Sequence, residues 1–180
     1  MKRCTIAAAG FALAAQSLAA SAATPCATPT EATAITAVAM PEIIRQVGQI
    51  CASRLPVSAL LRQPAGPFLA KYQAEADRAW PAARTALARI GGPQVAPLLQ
   101  SEFTRPLLTS LLAPALIGTV DPGDCTKVEL IAEQIEPLPA RNTAELIVST
   151  LQLVREKQAE YGTGDDKQTL DIPICRDDRR

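Results

Sequence analysis

The chain contains no histidine. That absence removes the commonest general base at neutral pH, the Ser–His and Cys–His nucleophile pairs, and most catalytic zinc sites. Aromatic side chains are nearly as scarce, with one tryptophan, two tyrosines and three phenylalanines. A stacking platform for sugars or bases needs several rings together. Beyond the first two dozen residues only Phe68, Tyr72, Trp80, Phe103 and Tyr161 can contribute. The glycine loops that cradle phosphates and the G-x-S-x-G turn that presents a nucleophilic serine are both missing. No two cysteines stand at C-x-x-C spacing, which excludes the usual device for lowering a thiol pKa and argues against zinc. Charge of one sign is not in excess, with 18 basic residues against 18 acidic ones, and no basic run offers a phosphate-tracking face. Nucleic acid is therefore not an expected partner, and no cofactor or metal is expected.

What is present begins with Lys2 and Arg3, followed by an uncharged, alanine-rich run over 4–23 that ends in Ala20-Ser21-Ala22-Ala23. A short basic start, an apolar stretch and small residues two apart are the features a signal peptidase reads. Residues 1–23 are expected to be a cleaved signal peptide, which places the mature protein in the periplasm or outside the cell, with no stable membrane insertion after cleavage. Losing Lys2 and Arg3 leaves 16 bases against 18 acids. The acids concentrate toward the C-terminus, with 13 of them beyond position 105, which reads as two halves packing with complementary rims; the alternative is an acidic docking face.

Four cysteines lie beyond the leader: Cys26, Cys51, Cys125 and Cys175. An even number in an exported chain of this size reads as two disulfides, with three pairings open. If the two helices after Asp124 run antiparallel, the C-terminal tail returns near Cys125. This favours Cys125–Cys175 and, by subtraction, Cys26–Cys51.

The hydrophobic pattern is helical almost throughout. Residues 24–40 form an Ala/Thr/Pro-rich arm or a short helix, opened by a Thr28-Pro29-Thr30-Glu31 capping box. Pro41 is expected to begin a separate helix to about 54, because a residue before proline avoids helical angles. It carries Ile43, Ile44, Val47, Ile50 and Cys51 on one face. A short turn near 58–62 and a loop at 64–66 follow. Pro67 opens a longer helix that closes at Gly91-Gly92, with a kink expected around 77–81 ahead of Pro81. Further helices are expected over 96–103 and 105–117, the second capped by Thr104 and presenting a wide leucine face to the core. Last comes a hairpin: a helix over 124–136 with a Thr126/Glu129 capping box, a Pro-x-Pro corner, and a helix over 143–160 capped by Asn142 and Glu145. Its apolar residues fall on two stripes, one through Ala144, Ile147, Val148 and Leu151, the other through Leu146 and Leu153. Two stripes predict neighbours on both sides.

These features predict an all-α fold: a bundle of about five to seven helices with Pro-rich kinks and corners, stapled by two disulfides. Residues 41–175 form the single domain, and 176–180 a charged tail. The function expected is a non-enzymatic interaction or structural module of the cell envelope, with an unidentified envelope protein as partner. A second reading is a carrier of a small apolar ligand, held in a candidate pocket of Trp80, Tyr72, Leu108 and Leu112 between the kinked and leucine-rich helices. A third is a cell-wall glycan hydrolase relying on Glu102, a carboxylate beside Phe103; such an acid needs an apolar pocket to raise its pKa. The acidic groups Asp121/Asp124/Glu129 and Asp165/Asp166/Asp171 lack the spacing of a calcium loop and read as turn and cap residues.

Overall fold

A computed structural model describes residues 25–101, 103–117, 120–161 and 174–175. The expected signal peptide over 1–23, Glu102, the acidic group at 165–171 and the tail at 176–180 lie outside the described residues. The fold is all-helical and carries two disulfides, with five α-helices among the described residues.

The organising element is α1, Pro29–Ile50. Its capping box forms as expected: the Thr28 N–H donates to Glu31 Oε2 at 2.8 Å and the Glu31 N–H donates to Thr28 Oγ1 at 3.3 Å. The boundary expected at Pro41 is not there, because one helix runs from the arm through the proline. An interior proline costs about 3 kcal/mol. Each buried aliphatic side chain returns roughly 1.5–3 kcal/mol, and Ile35, Val38, Met40, Ile44 and Val47 are all buried on α1. Burial outweighs the lost hydrogen bond. The supposed arm is among the most buried stretches of the chain.

Three long helices surround α1: α2 (Pro67–Val95), α3 (Thr104–Ile117) and α5 (Ala140–Tyr161). Along α2 the backbone keeps helical angles through Pro81 and leaves them at Gly92, with φ 70°. That is where the glycine pair was expected to end the helix, and one short turn follows. The helix expected over 96–103 reduces to a 3-10 turn, Leu98–Gln100. Thr104 does not cap α3 by accepting a bond; its hydroxyl donates to the Leu98 carbonyl. The wide leucine face expected on α3 is not wholly inward either, since Ala113 is buried and Leu107 is exposed.

The central correction concerns the C-terminal hairpin. Helix α4, Cys125–Ile135, and α5 make next to no contact with each other among the described residues. Both reach the same core cluster, and only α5 continues toward the other end of α1. Cys125 and Ala132 of α4 join the cluster of Val47, Cys51 and Leu55 at the C-terminal end of α1. On α5, Ala140 belongs to that same cluster, whereas Val148, two turns on, packs with Ala27 and Ala32 at the N-terminal end of α1. So α5 runs back along α1 and delivers the tail to Cys26. The disulfides are accordingly Cys51–Cys125 and Cys26–Cys175, not the pairing favoured from the sequence. An isolated parallel bridge between Ala27 and Ile174, with the Cys175 N–H donating to the Ala27 carbonyl at 2.8 Å, seats the returning chain.

Lys71 on α2 explains why the corner stays open. Its ammonium donates to the carbonyls of Ile135 (3.4 Å), Glu136 and Leu138 (2.9 Å), the last residues of α4 and the middle of the Pro-x-Pro turn. A cation at a helix C-terminus satisfies orphan carbonyls and complements the helix dipole. The same ammonium lies 5.3 and 5.2 Å from the ring centres of Phe68 and Tyr72, and desolvation holds its pKa below the ordinary lysine value.

The capping boxes expected in the hairpin do not form. Helix α4 starts at Cys125, so Thr126 lies inside it, and Glu129 turns to a distant partner. Its buried carboxylate accepts from the backbone N–H groups of Leu60 (2.5 Å) and Leu61 (3.2 Å), at the start of the 3-10 turn Leu60–Arg62. Gly48 lets α1 approach the same turn: a Cβ there would stand 2.1 Å from the Leu61 carbonyl oxygen. Helix α5 starts three residues early, at Ala140, and Glu145 pairs with Arg141 instead of capping.

At the opposite end of α1, Arg89 of α2 donates to both Glu31 oxygens, at 3.2 and 2.6 Å, and to the Cys26 carbonyl at 2.9 Å. The Arg89 hydrogen bond, outweighing desolvation, holds the Glu31 carboxyl below its ordinary value of 4.5. A depressed carboxylate pKa stabilises the fold above the unfolded-state value, and that contribution is lost as pH falls through the folded value. Glu31→Gln keeps an acceptor for the capping box but removes the charge. It is expected to cost about 0.5–1 kcal/mol at pH 7, a figure discounted for the solvent around Arg89. The difference from wild type should narrow as pH falls below 4.5 through the depressed folded-state value, which urea unfolding of both proteins across pH 3–7 reads directly.

Candidate binding surfaces

Of the candidate apolar pocket, Tyr72 and Trp80 lie in separate clusters. Tyr72 is 1% exposed, meets Phe68 edge to face at 5.2 Å, and donates its hydroxyl to Thr143 Oγ1 at 3.2 Å. It is a core residue, and burial raises its pKa. Trp80 belongs to a separate cluster with Ile35, Val38 and Ala83, and Arg105 of α3 lies 5.9 Å from its ring centre. Leu108 is half-buried on α3, and the Leu112 side chain lies outside the described set. The glycan-hydrolase reading rests on Glu102, which is also outside it.

Among the described residues no three acidic or cysteine side chains are placed to hold a metal ion. Asp121 accepts from the Gly123 N–H at 2.6 Å as a turn residue, and Asp124 pairs with Lys127. Glu129 does reach a groove with Glu133 and Glu136, but its oxygens are committed to the Leu60 and Leu61 amides.

Two surfaces remain. The first is the outer face of α5. Its inner stripe is filled by α1, with Ala144 and Val148 buried. Its outer stripe is open: Leu146 and Leu153 are each 55% exposed, with Thr150 exposed between them. Leu130 and Ile131 on α4 are exposed as well. The expectation of neighbours on both sides of this helix fails because α4 never folds back over it. Leu151, read as a core position, is also exposed at 36%. The apolar stripe was legible in the sequence; its emptiness was not.

The second is a groove of ≈ 650 Å³ where α1, α2 and α3 meet. Glu42 and Arg45 line it from α1, Gln73 and Asp77 from α2, and Arg105 from α3. Val38 and Pro41 form its apolar part. Sequence reasoning passed over these residues because each is an ordinary solvated charge on its own helix. Only the packing of three helices brings them to one place.

No family model, curated protein or solved structure gives a significant match to this chain.

Proposed function

We propose that this protein is an exported, non-enzymatic interaction module of the cell envelope, whose docking face is the outer stripe of α5. The observation that carries the reading is the exposure of Leu146 and Leu153 on a helix whose opposite face is buried. Steps of four and three residues, Leu146 to Thr150 to Leu153, are the seam spacing by which one helix receives another. From Cys125 to Tyr161 the two helices and their corner carry Lys127, Arg141, Arg155 and Lys157 against six glutamates. The complementary occupant is an amphipathic helix of a second protein with lysine or arginine beside its apolar stripe. Export is supported by two disulfides, which persist in oxidising compartments, and by the leader-like first 23 residues.

A photoreactive side chain at Thr150, between the two leucines, tests this in native envelopes, with the exposed Val57 as the control position. The expected result is one heterologous adduct from position 150, mapped to a basic amphipathic segment, absent from position 57, and lost when Leu146→Ser and Leu153→Ser are added. Those exposed substitutions should change stability by less than about 0.5 kcal/mol. An adduct of twice the chain's own mass assigns the stripe to self-association and overturns the reading. So does labelling that is equal at both positions, or absent from both.

A further inference from the structure

We infer that the groove between α1, α2 and α3 binds a small zwitterion, a free amino acid or short peptide presenting an α-ammonium and an α-carboxylate. The groove's charges come as two opposed pairs on different helices. Arg45 Nη1 stands 2.9 Å from Glu42 Oε2 on α1, and Arg105 Nη1 of α3 stands 2.6 Å from Asp77 Oδ1 of α2. A guanidinium has five N–H donors, and each of these arginines gives only one to its carboxylate. The remaining donors suit a carboxylate, which arginine binds bidentately. Contact with the Trp80 ring gives the Arg105 plane a second support.

Gln73 supplies the observation that points past an inter-helix ion-pair network. It is half-buried, lines the groove, and has no hydrogen-bond partner among the described residues. An amide so placed can donate to a carboxylate or accept from an ammonium. The hydroxyl protons of Thr109 and Ser110 are turned into their own helix, to the carbonyls of Arg105 (3.1 Å), Pro106 (3.0 Å) and Leu107 (2.8 Å). Their oxygens are left as acceptors on the α3 side of the groove.

The balance of charge selects the class of ligand. A simple anion gains from Arg45 and Arg105 but meets Glu42 and Asp77, and a simple cation meets the reverse. A molecule carrying both charges gains from both pairs. Val38 and Pro41 give a small side chain an apolar surface to lie on. The volume falls within the ~300–1,000 Å³ usual for small-molecule sites.

The test uses the mature, oxidised protein and the dipeptide alanyl-alanine. Two readouts apply: the side-chain amide of Gln73 by NMR, and the fluorescence of Trp80, the chain's single tryptophan. Saturable shifts in both are expected at about millimolar dipeptide, the affinity that a few solvent-exposed charged contacts provide. The N-acetyl dipeptide (an anion) and the C-amidated dipeptide (a cation) should each bind at least about tenfold more weakly. Arg105→Gln and, on a different helix, Arg45→Gln should each weaken binding by a similar factor; the second guards against Arg105 acting only through Trp80. The Leu146→Ser/Leu153→Ser protein should bind as wild type does, so this site and the α5 face stand or fall separately. Absence of saturation up to roughly 10 mM overturns the inference. Equal affinity for the acetylated form makes the groove an anion site only, equal affinity for the amidated form a cation site only, and either result overturns it as well.

Discussion

Replacing Cys51 and Cys125 together by serine is expected to lower the free energy of unfolding by roughly 4 kcal/mol. The bridge closes a loop spanning 74 positions, and loop-closure entropy scales from about 3 kcal/mol for 15 residues to about 4.7 for 100. Both half-cystines are essentially buried, at 0% and 1% exposure, so the substitution also places two hydroxyls in an apolar cluster. A domain of this size holds only about 5–15 kcal/mol in total, and most of the margin would be gone. Guanidinium unfolding of the oxidised double variant against wild type, followed by Trp80 fluorescence, measures the loss. A change below about 1 kcal/mol would mean that α4 is held by its side-chain contacts and that the bridge adds nothing. The consequence reaches beyond stability. Helix α4 is tied to the body by this bridge, by Glu129, by the Lys71 clamp and by the packing of Val128, Ala132 and Ile135, so losing the bridge should also loosen the Pro-x-Pro corner from which α5 starts.

The second large effect is expected at Glu129. Glu129→Ala leaves the buried Leu61 amide and the half-buried Leu60 amide without acceptors. Each orphaned donor costs about 1–3 kcal/mol, which puts the variant roughly 2–5 kcal/mol below wild type. Glu129→Gln retains one acceptor oxygen and should lose about half as much. Hydrogen exchange supplies the site-specific readout: the amides of Leu60 and Leu61 should lose protection in the alanine variant before those of α1 do. If they exchange as in wild type, water or a shifted carbonyl replaces the carboxylate and the two-amide account is wrong. Glu129, Gly48 and the Cys51–Cys125 bridge meet at one place, where the C-terminal end of α1, the turn at Leu60–Arg62 and α4 are locked together.

How much of this was legible depended on whether the signal was local. The 3.6-residue period, the Thr28/Glu31 capping box, the start at Pro67 and the break at Gly91-Gly92 are properties of neighbouring residues, and the helices they mark are present. Pro41 misled because its local cost is real but is set against burial by three helices that sequence neighbours do not reveal. The hairpin misled for a related reason. Two strongly patterned helices joined by Pro-x-Pro look like partners, yet the hydrogen bonds that set their corner come from Lys71, more than sixty positions away. From that wrong geometry followed the wrong pairing of cysteines and the belief that both stripes of α5 were covered. Gly48 alone left a trace that could have been used, since a glycine inside a helical pattern often marks a close approach.

The sequence by itself determined that this chain is helical, that four of its cysteines form two bridges, and that histidine chemistry plays no part. Those conclusions rest on periodicity, composition and spacing, which act over one or two turns. Only the tertiary structure decided that α1 is the centre, which cysteine meets which, that the outer stripe of α5 is bare, and that Glu42, Arg45, Asp77 and Arg105 share a groove. Each of these is a matter of which surfaces of distant helices meet. That is governed by the total area buried around α1 and by a few long-range polar contacts, and neither is written in any single stretch of the chain.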